Sequence, residues 1–174
     1  RQMCIRDRRI TGNITIENGD VVILEPGTQF LFDGAYKFNV YGTLNAIGTE
    51  SDSIIFDNFG NERWRGFTLE NVSDQTTFEY VRISGAEKDY GGGMYLSSSN
   101  PALTHVTISN NTADYGGGMR LNSSNPNLTH VTISNNTAES SGGGLRLSNS
   151  HPILTHVTIS NNTAGNNGGG MVLS

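Results

Sequence analysis

The sequence predicts an all-β fold, a single-stranded parallel β-helix (solenoid) of about 25–26 residues per coil. Three observations predict it. The decamer THVTISNNTA stands unchanged at residues 104–113, 129–138 and 155–164. Glycine triplets begin at Gly91, Gly116, Gly142 and Gly168, so the enclosing unit returns at steps of 25, 26 and 26 residues. A period of roughly 20–50 residues marks a solenoid, propeller or array. Within each unit, apolar and polar residues alternate in runs of three to five, the period of a strand and not of a helix.

The first elements are the least regular. Residues 10–63 hold strand-like runs broken by turn residues: ITGNITIENG, DVVILEPGT, QFLFDGAYKFNVYGTLNAIGT and DSIIFDN. They carry the larger core candidates Phe30, Phe32, Phe38, Phe56 and Trp64. Residues 66–69 then overlay residues 93–96 at a step of 27, and residues 78–84 overlay 103–109 at a step of 25. In the faithful units Met94-Tyr95-Leu96, Met119-Arg120-Leu121 and Leu145-Arg146-Leu147 read inward, outward, inward. Pro101, Pro126 or Pro152 comes next and marks a turn or strand edge. Val106 and Ile108 alternate with Thr107 and Ser109. Leu103 lies an odd number of residues from Val106, so the chain must bend near Thr104-His105 to bury all three.

Three short strands separated by bends describe one coil. Coils stacked at about 4.8 Å turn repeated letters into columns. The inward columns are Met94/Met119/Leu145/Met171, Leu96/Leu121/Leu147/Leu173, Leu103/Leu128/Leu154, Val106/Val131/Val157 and Ile108/Ile133/Ile159. Asn111, Asn136 and Asn162 lie three residues beyond the isoleucine, where a turn points the side chain inward; stacked amides can donate and accept from coil to coil, a structural ladder. The glycine triplets let backbone pass close to backbone. Five to seven coils are expected.

Bulk composition agrees. Only 34% of residues are apolar and 16% charged, low for a globular domain and suited to a narrow apolar column. The net charge of −5 argues against a nucleic-acid footprint or an anionic-membrane anchor, and no apolar run approaches the roughly 18 residues of a membrane-spanning helix. Residues 1–9, RQMCIRDRR, share nothing with the rest of the chain and resemble translated adapter sequence at the end of a metagenomic read. They are set apart as a non-native head, which holds the one cysteine, Cys4, and leaves 7 basic against 15 acidic residues. Residues 10–174 are then one β-helix domain, with degenerate coils over 10–89 and near-identical Gly-rich coils over 90–174. Its C-terminus is expected to be truncated, since Ser174 stops where earlier units continue toward Asn-Pro.

GGGM with ISNN after it in each unit resembles the polymorphic outer-membrane protein repeat, with Ile108, Ile133 and Ile159 in the place of its phenylalanine. Residues 10–174 are more closely similar to the secreted, right-handed parallel β-helix repeat proteins of bacterial surfaces, on the order of GNITIENGDVVILEPGTQFLFDG, YGTLNAIGTESDSIIF, WRGFTLENVSD and the Gly-rich units. That resemblance implies a right-handed, pectin-lyase-like coil, export to the extracellular space or cell surface, and attachment to further sorting or anchoring segments. It implies no single activity.

Relatives of this fold that cleave acidic polysaccharides need clustered carboxylates or a basic residue that abstracts a proton. Residues 90–174 contain only two acids, Asp114 and Glu139, and two basic residues, Arg120 and Arg146. Glu50, Asp52, Asp57 and Glu62 scatter over turns. Asp89 and Asp114 fall in one turn column that a Ca²⁺ ion could use, but it continues as Ser140 and Asn166. His105, His130 and His156 form a column at a bend with no acid beside it; a copied repeat copies its histidine without selection for a metal. Thr107/Thr132/Thr158 and Ser109/Ser134/Ser160 present an outward hydroxyl array, interrupted one coil earlier by Arg82. No catalytic residue, cofactor or metal is therefore expected. The expected role is a non-catalytic adhesin, stalk or binding scaffold. Its candidate binding face is Tyr95, Arg120 and Arg146 or the face of His105, His130 and His156, and its partners are host or environmental glycans or surface proteins. The alternative is a polysaccharide-binding or polysaccharide-cleaving β-helix.

Overall fold

The computed structural model describes residues 7–174; residues 1–6, including Cys4, lie outside the described residues. Among the described residues every named element is a strand, and every strand pairs in parallel with its counterparts in the neighbouring coils. Seven strands of one sheet, here sheet I, run from Ile14–Ile16 through Met94–Ser97 and Met119–Asn122 to Met171–Leu173 and bound six full turns. Sheet II contains Ala102–Thr104, and sheet III contains Thr107–Ser109. The strand that opens sheet III is Asp7–Ile10, which pairs Arg9 with Leu31.

The last coils have four strands and not the three read from the sequence. Thr112–Tyr115, with Glu87–Tyr90 before it and Thr137–Ser141 and Thr163–Ala164 after it, forms a separate sheet IV. Four sheets need four corners, and a single residue in the left-handed region turns each. In one coil these are Ser98 (φ 48°), His105 (φ 53°), Asn110 (φ 58°) and Gly116 (φ 70°). The positions recur as Ser123, His130, Asn135 and Gly142. Asn and His tolerate positive φ better than most residues, which gives the histidine column a conformational reason independent of any ligand. It also puts the bend where the Leu103-to-Val106 offset required it.

Registers are those of the sequence overlay. Met94 pairs with Phe67 and Met119, Leu103 with Phe78 and Leu128, and Ile108 with Ile83 and Ile133. All five inward columns are fully buried in the middle coils. The last rung is open: Leu154, Met171 and Leu173 are exposed, and Val157 and Ile159 only partly buried. In the early coils the interior is aromatic. Trp64 stacks on Phe32 at 4.4 Å and donates its Nε1–H to the Ser84 carbonyl at 2.7 Å.

Toward the C-terminus the asparagine ladder takes over that inner corner. Asn111 Nδ2 donates to Asn136 Oδ1 (3.1 Å) and to Ile83 O (3.2 Å); Asn136 Nδ2 repeats this with Asn162 Oδ1 and Ile108 O, both at 3.0 Å. Each Oδ1 also accepts a backbone N–H of the preceding coil; Asn136 Oδ1 accepts that of Asn111 at 3.0 Å. A second internal ladder went unread in the sequence. Buried Ser99, Ser124 and Ser150 each accept a backbone N–H from the preceding coil and donate to a carbonyl two residues back.

Candidate functional site

Sheet I turns alternate side chains to solvent, and from coil to coil the outward rungs are Asn39, Thr68, Tyr95, Arg120, Arg146 and Val172. Sheet IV stands beside this column and brings up Tyr90 and Tyr115, paired with each other and then with Ser141. Two tyrosines and two arginines from different sheets therefore meet. The Arg120 guanidinium carbon lies 4.3 Å from the centre of the Tyr90 ring, and that of Arg146 lies 4.6 Å from the Tyr115 ring. Tyr90 and Tyr115 stack at 5.8 Å, and Tyr95 closes the group at 6.5 Å from Tyr90. Cation–π contacts of this kind contribute roughly 0.5–2 kcal/mol each. Their effect here is to hold each guanidinium in place.

The charges of that group are otherwise unanswered. Ion pairs among the described residues join Arg9 to Asp33 and Arg63 to Glu87, and neither Arg120 nor Arg146 takes part in one. The Nε atoms of both are buried without a hydrogen-bond partner; Arg146 spends one Nη on the Ser141 hydroxyl. Asp89 and Asp114 fall between the pairs Lys88/Ala113 and Tyr90/Tyr115, so strand alternation puts them on the other face of sheet IV. The turn column read as Asp89, Asp114, Ser140 and Asn166 needs one correction. The register shifts between Ala113/Ala138 and Tyr115/Ser141, so Glu139 and Ser140 together stand opposite Asp114.

Lys88 is the residue that sequence reasoning missed. It occupies the position of sheet IV that continues as Ala113, Ala138 and Ala164, and its side chain reaches Thr68 and Tyr95 of the outward column of sheet I. A lysine heading a column of alanines was the available signal, hidden because sheet IV itself was not foreseen. The residue is half-buried, but its amine end is enclosed and donates to the Phe67 carbonyl and, at 3.2 Å, to Thr68 Oγ1. Burial, aided by the neighbouring Lys37 charge and opposed by Asp89, pushes its pKa down from the ordinary 10.5 to about 7. A lysine so lowered is a base in the folded chain at pH values where it is still an acid in the unfolded chain. Between about pH 7 and 10.5 the unfolded state thus binds more protons, and stability rises with pH at a slope of up to about 1.4 kcal/mol per unit. Below pH 7 both states are protonated and the contribution is constant. Urea unfolding of the wild type from pH 7 to 9 is expected to show this rise, and Lys88→Met to flatten it; an equal rise in the variant would place the titrating group elsewhere.

The histidines sit where expected, at the exposed corner between sheets II and III. Their rings stack nearly parallel, His105 on His130 at 4.8 Å and His130 on His156 at 4.6 Å, with Tyr80 beneath at 4.6 Å. Two Zn–N bonds in line span only about 4.2 Å, so neighbouring parallel rings could share an ion only by leaving the stack. The column therefore differs from the tyrosine–arginine group: its rings are partnered by one another. The upstream acids do not converge either. Glu50 and Asp52 line a shallow hollow with Arg82, while Glu62 belongs to another with Arg63, Arg65 and Glu87.

Comparison with known proteins gives a single finding. The family model described as right handed beta helix region matches residues 4–174, which agrees with the stacked parallel strands and supplies the hand of the coil. Neither the curated proteins nor the solved structures contain a match to the chain.

Proposed function

Because the chain belongs to the right-handed β-helix family, we propose that it is a non-catalytic module of an extracellular or cell-surface protein, an adhesin, stalk or binding scaffold. Its lateral binding face is the group Tyr90, Tyr95, Tyr115, Arg120 and Arg146. One observation carries this reading: two guanidiniums are fixed over tyrosine rings on the outside of the coil, and neither pairs with a carboxylate among the described residues. Tyrosine and arginine are the side chains that dominate recognition surfaces, because they offer large rigid contact area and forked donors. A stack of coils adds stiffness, so the face is presented without an ordering cost.

The reading is tested by immobilising the protein and presenting glycans and surface proteins of a candidate host. Binding is expected to fall at least roughly ten-fold in Tyr95→Ser and in Arg146→Ser, and to survive in His130→Asn, which keeps a residue that tolerates positive φ. A loss confined to His130→Asn would move the binding face to the other side of the coil. A second reading, polysaccharide cleavage, has Lys88 in its favour, because an amine of lowered pKa beside Tyr95 can accept a proton near neutrality. It requires new chain ends to accumulate when the protein is incubated with a bound polymer, and none are expected.

A further inference from the structure

We propose that Lys88 is a capture site for carbon dioxide, which it holds as a carbamate on its side-chain nitrogen. The site adjoins the lateral face but does not depend on that face binding a partner.

The chain contains only two lysines, Lys37 and Lys88, and the coil brings them together. Lys37 immediately precedes the strand Phe38–Val40, and Phe38 pairs with Phe67. The Lys88 amine donates to the carbonyl of that same Phe67 and, at 3.2 Å, to Thr68 Oγ1. Cations surround it. The Lys37 charge bears on it directly. Arg65 Nη1 donates at 3.1 Å to the carbonyl of Glu87, the residue before it. The Arg120 guanidinium shares the Tyr95 ring with it, 5.9 Å from the ring centre where the amine is at 5.8 Å. Asp89 opposes these charges from the other face of the strand. Among the described residues no carboxylate forms an ion pair with Lys88.

An enclosed amine with cationic neighbours and no paired carboxylate loses its proton easily, and the lowered pKa of about 7 agrees. Near neutrality about half of the Lys88 amine is then unprotonated, where an ordinary lysine is almost wholly ammonium. A desolvated free amine beside another cation is a nucleophile toward carbonyl carbon. Enclosure restricts the partner to a small electrophile, and the cations decide which product is stable. The nitrogen lone pair attacks the carbon of CO₂, one C=O π pair moves onto oxygen, and the nitrogen releases one proton to water. The sum is R–NH₂ + CO₂ → R–NH–COO⁻ + H⁺, with nothing oxidised or reduced. The nitrogen keeps one N–H for the Phe67 carbonyl. The new carboxylate takes the negative charge that Lys37 lacks a partner for, and the Thr68 hydroxyl can turn to donate to it. An aldehyde would give a neutral imine or a cationic iminium, which the same cations do not stabilise. Uptake of CO₂ therefore turns a partly cationic corner of the lateral face into an anionic one.

The test is to expose the full chain to ¹³C-labelled CO₂ at about pH 7 to 8, trap carbamates as esters with an oxonium alkylating reagent, and read the two lysine peptides by mass. Lys88 is expected to carry the label in a saturable way and at least about ten-fold more than Lys37, whose amine lacks the enclosure. The ¹³C NMR resonance of the carbamate should disappear in Lys88→Met. Lys37→Met, a change at an exposed position that leaves Lys88 in place, should lower the label on Lys88 roughly three- to five-fold, because it removes a neighbouring cation. Labelling of Lys88 no greater than that of Lys37 would overturn the proposal. So would a label on Lys88 indifferent to Lys37→Met. Reductive capture of a small aldehyde on Lys88 without any carbamate would overturn it too, showing a reactive amine that selects a different carbonyl.

Discussion

Gly117→Ala is expected to destabilise the protein by about 3 kcal/mol or more in urea unfolding, although it adds a single methyl group. A Cβ on Gly117 would meet the carbonyl oxygens of Gly143 and Thr137, both backbone, at well under 3.0 Å. Neither can swing aside as a side-chain tip could. Gly117 donates its N–H to Gly142 O at 3.0 Å while its neighbours in the triplet bond to the next coil in the same way. Relief would therefore have to push whole coils apart and stretch several of these bonds at once. The control is Gly12→Ala, where a Cβ meets nothing within 4 Å and the change should stay within about 0.5 kcal/mol. Equal effects at the two positions would mean that the coils do not stack as tightly as their backbone hydrogen bonds require.

Asn136→Ala is expected to cost about 3–5 kcal/mol. Asn136 is fully buried at the centre of the ladder. Its removal orphans the backbone N–H of Asn111, one Nδ2–H of Asn111 and the Ile108 carbonyl. Each unsatisfied buried group costs roughly 1–3 kcal/mol, and the alanine also leaves a void. Asn110→Ala, next to the ladder but exposed and at positive φ, should cost about 1 kcal/mol through backbone strain alone. A small effect at Asn136 would show that water or a relaxed coil satisfies those groups.

The repeat makes most of the architecture legible in the sequence. Identical letters in parallel coils must stack, so the columns of Met94, Leu96, Leu103, Val106 and Ile108 could be named, and the asparagine ladder came from its fixed offset from isoleucine. What escaped notice has a physical cause in each case. Sheet IV alternates on alanine, whose small side chain gives little hydropathy contrast between Ala113 and its neighbours. Its absence from the reading hid Lys88 and the approach of Tyr90 and Tyr115 to Arg120 and Arg146. Corner conformations are nearly silent in sequence when serine or histidine adopts positive φ in place of glycine, as at Ser98 and His105. The serine ladder looked like a polar loop because serine is at home in both settings. The candidate face was therefore half visible. Tyr95, Arg120 and Arg146 could be placed on one column, but the rings that hold the two guanidiniums could not.

Which surface engages a partner is best decided by hydroxyl-radical footprinting of the protein with and without its bound ligand, resolved residue by residue. Protection should concentrate on Tyr90, Tyr95 and Tyr115, with His105, His130 and His156 as reactive as in the free protein. Protection of the histidine column with the three tyrosines unchanged would contradict the assignment of the binding face and everything inferred from its charge.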